Sequence, residues 1–118
     1  IPEGSVYRFP ALLADEMVNA PVVILVYSQS SGVAASSTFP GVQNLLLSAR
    51  ALGLGSVLTT LHEEVMERVN AMFGVPEDMT FHCCIPLGYP RGNFGPTSRL
   101  PTSATTSWDR WGAAPPWK

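Results

Sequence analysis

PGVQNLLLSARALGLGSVLTT, residues Pro40 to Thr60, is the stretch whose reading decides the fold. Apolar residues recur at Val42, Leu45, Leu46, Ala49 and Leu52, the spacing of a helical core stripe. Leu47, Ala51 and Leu54 add a second apolar face, so the helix is expected to be covered on most sides. Pro40 suits a first helical turn, where a missing N–H costs nothing, with Thr38 or Ser37 capping just before it. Gly53 falls where a left-handed C-terminal cap is wanted, and Leu54 is placed to fold back on the last turn. Only Gln43, Asn44, Ser48 and Arg50 relieve this surface. Such a helix needs neighbours, some of them from another chain.

Upstream, Phe9, Leu12, Leu13, Met17 and Val18 have near-helical spacing within Tyr7 to Asn19, with Pro10 in the first turn. Val22 to Tyr27 is a continuous β-branched run, expected of an interior strand covered on both faces. Ser28 to Thr38 is small and polar and reads as a loop long enough to line a pocket.

Downstream, Ser56 to Thr59 reads as a short strand. Thr60-Leu-His-Glu63 has the form of a capping box opening a helix. That helix carries Val65, Met66, Val69, Met72 and Phe73 on one face and stops at Gly74. Met79 to Ile85 reads as a strand ended by Pro86. Gly92 to Pro101 is a glycine- and proline-rich loop, and Thr102 to Lys118 an extended tail anchored by Trp108, Trp111 and Trp117. The order predicts an α+β or α/β domain with a small mixed sheet.

At 118 residues the chain is one domain at most. It is 46% hydrophobic and 14% charged, far from the disordered class, and no apolar run is long enough for a membrane span. The net charge of −2 argues against a nucleic-acid partner. The charge is uneven: residues 1–90 hold three arginines against eight carboxylates, residues 91–118 four cations against Asp109. Cys83 and Cys84 are adjacent, so on a strand they point to opposite faces. They are expected to be reduced packing residues, which agrees with a cytoplasmic chain.

No catalytic set is complete, and no metal site is expected. His62 and His82 lack a nucleophile in a recognisable setting, and Glu63, Glu64 and Glu67 read as first-turn helix carboxylates. Two features carry chemistry. At Leu58-Thr59-Thr60-Leu61 a strand runs into a capped helix start, whose free N–H groups suit an anion or an electron-rich heteroatom. In Gly95-Pro96-Thr97-Ser98-Arg99-Leu100-Pro101, an arginine between prolines and beside hydroxyls is suited to clamp a phosphate.

Together, VQNLLLSARALGLGSVLTT, FGVPEDM and IPLGYPRGNFGPTSRLP resemble the C-terminal half of the nitroreductase family of FMN-dependent oxidoreductases. The likeness runs from about Tyr7 to Trp111. It implies an α+β fold with a small mixed sheet flanked by helices, a long central dimer helix, and an extended C-terminal arm that embraces the partner of a homodimer. It places the flavin N5/O4 edge at Thr60 and Leu61, with Thr59 adjacent, and the FMN phosphate at Arg99, with Ser98 beside it. Where some members carry a lysine two residues before that arginine, this chain has Thr97. The family's opening R-x-S-x-R motif has no counterpart in residues 1–118. The chain therefore resembles one half of an enzyme, expected to be incomplete and inactive alone, and to aggregate or self-associate.

The resemblance implies an NAD(P)H-dependent reductase: a nicotinamide reduces the flavin, leaves, and a small electrophile (nitro compound, quinone or similar) takes its place. The alternatives are a truncated, non-catalytic dimerisation or interaction module, or a relative acting as dehalogenase or flavin reductase.

Overall fold

A computed structural model describes residues 4–5, 8–60 and 65–117. The elements in order are α1 (Arg8–Glu16), a 3-10 turn (Met17–Asn19), β1 (Val22–Gln29), α2 (Ala34–Ala51), β2 (Gly55–Ser56), α3 (Met66–Phe73), β3 (Met79–Gly88) and α4 (Thr102–Thr105). The sheet order is β1-β3-β2, and both pairings are antiparallel, where a mixed sheet was expected.

β3 is therefore the central strand. The β-branched run of β1, expected to be interior, lies at an edge of the sheet, and its residues are half-buried or exposed. β3 also runs on past Pro86. Proline is tolerated there because of which side its missing N–H would face. Cys84 exchanges both backbone hydrogen bonds with Thr59, at 2.9 and 2.8 Å, on the β2 side. Alternation turns Pro86 to that same side, opposite Val57 in the continued register. One donor is missing at that step, which accounts for the short β2 and the isolated Thr59–Cys84 bridge beyond it. The strand expected at Ser56 to Thr59 is thus split in two.

α2 begins six residues earlier than the reading from Pro40, at Ala34. The supposed loop from Ser28 to Thr38 is mostly the end of β1 and the first turns of α2. Val33 stands at the N-cap, and Ser36 Oγ donates to the Val33 carbonyl at 2.9 Å. Pro40 thus lies inside the helix, at the cost of one bond to the Ser36 carbonyl. The exit is as expected. Gly53 takes φ of 76°, its N–H reaches the Arg50 carbonyl at 3.1 Å, and the Leu54 N–H reaches Ala49 at 2.9 Å. That is a Schellman cap.

α2 packs on one face of the sheet. Val42 is buried with Cys83 and Ile85, and Ile24, Val26, Leu45, Leu46 and Leu58 surround them. From the other face, Tyr27 donates its hydroxyl to Asn70 Oδ1 in α3 at 2.7 Å. α3 ends as read, at left-handed Gly74. The second apolar face of α2 is uncovered, with Leu47 57% exposed. α1 buries none of its residues.

The tail is not simply extended. α4 interrupts it, and a turn follows in which the Trp108 N–H bonds the Ala113 carbonyl at 2.9 Å. Trp108 and Trp117 stack edge to face at 5.3 Å, whereas Trp111 is 99% exposed.

The chain is drawn out. Its radius of gyration is 18.0 Å, against about 13.5 Å for a compact domain of this length. It exposes 9413 Å², against about 6200 Å² for a self-contained monomer of its mass. About 3000 Å² of surface that a compact monomer would bury is left open.

Candidate functional site

The strand-to-helix junction is held by the Thr59–Cys84 pair. Both backbone groups of Thr59 are used by Cys84, and Thr59 is buried. Thr59 is thus the fixed point of the junction, with its peptide N–H and carbonyl already paired. In an antiparallel edge strand the neighbouring peptide groups point the opposite way, so the Thr60 N–H faces outward from the sheet. Thr60 itself is exposed.

Thr60 also lines a cleft of about 530 Å³, together with Phe9, Pro10, Leu13, Val57, Leu58 and Thr59. Its walls are apolar, with polar groups at the threonine end. A flat heteroaromatic ring fits such a donor set: apolar walls take its faces and an N–H meets its polar edge. Leu61, His62, Glu63 and Glu64, and with them the far half of the capping box, lie outside the described residues.

Ser98 and Arg99 lie on the exposed arm, and the Arg99 Nη1 donates to the Ser98 carbonyl at 3.0 Å. The guanidinium has donors to spare for an anion. Neither residue lines the junction cleft, so one chain does not bring Arg99 to Thr59 and Thr60 in a single cavity. A larger cleft of about 750 Å³ lies between α1 and the sheet end, with Leu12, Met17, Val57, Leu87, Tyr89 and Phe94 among its walls.

Two contacts were not foreseen. His82 is the extra residue of a β-bulge, since Val26 pairs Cys83 and Tyr27 pairs Phe81. The bulge brings its Nε2 to 2.7 Å from Ser28 Oγ, under the edge of the Phe39 ring. Ser28 Oγ also lies 3.1 Å from the Gln29 carbonyl, and the tautomer of His82 sets the direction of the first bond. The second is Arg50, whose guanidinium carbon sits 3.8 Å from the Phe94 ring centroid. The two residues are far apart in the sequence, and no local pattern marks the pair.

Burial pushes the Cys83 thiol above its ordinary range; burial, and then the neighbouring Cys83, does the same to Cys84. Both are buried, and neither forms a disulfide. Among the described residues, no three His, Cys, Asp or Glu side chains are grouped to hold a metal ion, and no helix is long and apolar enough to cross a membrane.

Comparison with known proteins agrees with the fold. A protein of Methanothermobacter thermautotrophicus, provisionally named NADH dehydrogenase/NAD(P)H nitroreductase, is 37% identical over 102 residues, covering 80% of this chain and 50% of its own. The chain thus spans about half the length of that relative. A crystal structure of a Bacteroides thetaiotaomicron protein of the same provisional name superposes with a TM-score of 0.67 at 27% identity, over 82% of this chain and 66% of that one. Iodotyrosine deiodinase, solved with FMN and 3-iodo-L-tyrosine, shares the fold with a TM-score of 0.62 at 23% identity, over 94% of this chain and 61% of its own. The sequence model of the nitroreductase family matches residues 2–89, and the chain belongs to that family.

Proposed function

We propose that this chain is the flavin-edge and phosphate-gripping half of an NAD(P)H-dependent, FMN-containing oxidoreductase that works as a homodimer on small electrophiles such as nitro compounds or quinones. The observation that carries the reading is the junction itself: Thr59 locked to Cys84, the exposed Thr60 lining an apolar cleft, in a chain of the nitroreductase family. The Thr60 N–H, and Leu61 beside it, would donate to the polar edge of the ring. Phe9, Leu13 and Val57 would exclude water from its face. Arg99, with Ser98, would hold the phosphate. When bound, FMN supplies the electron-transfer chemistry. No side chain here is assigned a proton to move.

Homodimerisation is supported by about 3000 Å² of excess exposed surface and by the bare face of α2 around Leu47. It also offers a way for Arg99 to reach a ring site that its own chain does not bring near. The reduced, buried cysteines agree with a cytoplasmic protein. The same surface excess favours one second reading, a dimerisation module without flavin.

Equilibrium dialysis against FMN separates the two. The reading expects FMN to be retained, and Arg99→Ala to weaken it by about tenfold or more, the loss of a charge-assisted contact. A dimer that retains no FMN is the module instead.

A further inference from the structure

We propose that Arg50 and Phe94 are positioning residues: their stacked contact pins the arm to the end of α2 and so sets where Arg99 can reach. The inference rests on the FMN reading for its consequence, but not for the contact itself. Arg50 is in the last turn of α2, and its guanidinium lies 3.8 Å from the Phe94 ring centroid. Between the end of β3 and α4 the chain has no regular structure, and residues 91–101 are all exposed. Phe94 also forms part of the wall of the larger cleft and is 46% exposed, so the Arg50 contact is the one that holds its ring.

The geometry matters because Arg99 is on a tether. Pinned at Phe94, the tether to Arg99 is five residues and contains Pro96; unpinned, it starts at Gly88 and is eleven residues. The local concentration of a tethered group falls roughly as the three-halves power of tether length. Releasing the pin should therefore weaken the phosphate contact about threefold, and more if Pro96 stiffens the short tether.

The test uses the full chain, with FMN and riboflavin as probes. Riboflavin lacks the phosphate and so does not report on Arg99. Phe94→Ala and Arg50→Met should each weaken FMN about threefold, leave riboflavin unchanged, and speed tryptic cleavage after Arg91. Phe94→Trp should keep the wild-type values, since ring and cation survive, and Arg50→Lys should fall between wild type and Arg50→Met, since the cation survives without its planar stack. Equal cleavage after Arg91 in wild type and Phe94→Ala would overturn the pin whatever the flavin results. Faster cleavage with an unchanged FMN-to-riboflavin ratio would overturn its role toward Arg99. Wild type that binds FMN no better than riboflavin would instead refute the phosphate role of Arg99, leaving cleavage to decide the pin.

Discussion

Thr59 and Cys84 are tied by two backbone hydrogen bonds, 2.9 and 2.8 Å long, across the gap that Pro86 opens in the sheet. One bridge therefore fixes the junction on which the flavin reading depends, and frees the next peptide group to face outward.

Thr60→Pro should then separate binding from folding. It removes the outward N–H, while Thr59, already extended, tolerates a following proline. Flavin affinity is expected to fall about tenfold with the thermal midpoint moved little. Isothermal titration and a melting curve check both halves; an unchanged affinity would remove Thr60 from the site.

Gly88 closes the sheet against Pro21. A Cβ there would lie 2.9 Å from Pro21 Cδ, whereas one at Gly92 would meet nothing within 4 Å. Gly88→Ala should cost about 1–3 kcal/mol of stability through overpacking. Gly92→Ala should be near neutral, and chemical denaturation of the pair tests the contrast.

The buried thiols give stability a slope at alkaline pH. Cys83 and Cys84 titrate above the ordinary value of 9.0 when folded, so the unfolded chain releases their protons first. Stability should be level below about pH 8, then fall as pH rises through the thiol range. A Cys83→Ala/Cys84→Ala variant should lose most of that fall. Tyr27, raised by burial from 10.0, extends it to higher pH.

Tyr27→Phe should cost about 1 kcal/mol by removing the 2.7 Å bond to Asn70. The same change should raise the exchange rate of α3 amides, because this hydroxyl links β1 to α3 across 43 residues of sequence. Hydrogen exchange reads that directly.

How much of this was legible depends on the range of the interaction that decides each element. The Gly53 and Gly74 caps were readable because a left-handed residue after an apolar helix is a local signal. The start of α2 was not, because Ala34 to Thr38 is small and polar like a loop, and Pro40 looks like a first turn. Which strand lies at the centre is a matter of pairing. β1 has the more buried-looking composition, yet β3 holds both neighbours, and Pro86 disguised it. Thr59 and Thr60 could be singled out from the capping pattern, but that Thr59 spends its peptide groups on Cys84 required the register. The Arg50–Phe94 and Ser28–His82 contacts are long-range pairs of ordinary residues, with no spacing to mark them. Arg99 was legible as a spare cation; its distance from the junction cleft was not.

The measurement that tests the central claim most directly is size exclusion of this chain with FMN, recording mass by light scattering and flavin absorbance across the protein peak. The account predicts a dimer that carries flavin, and a loss of flavin but not of the dimer in Arg99→Ala. A colourless monomer would contradict it.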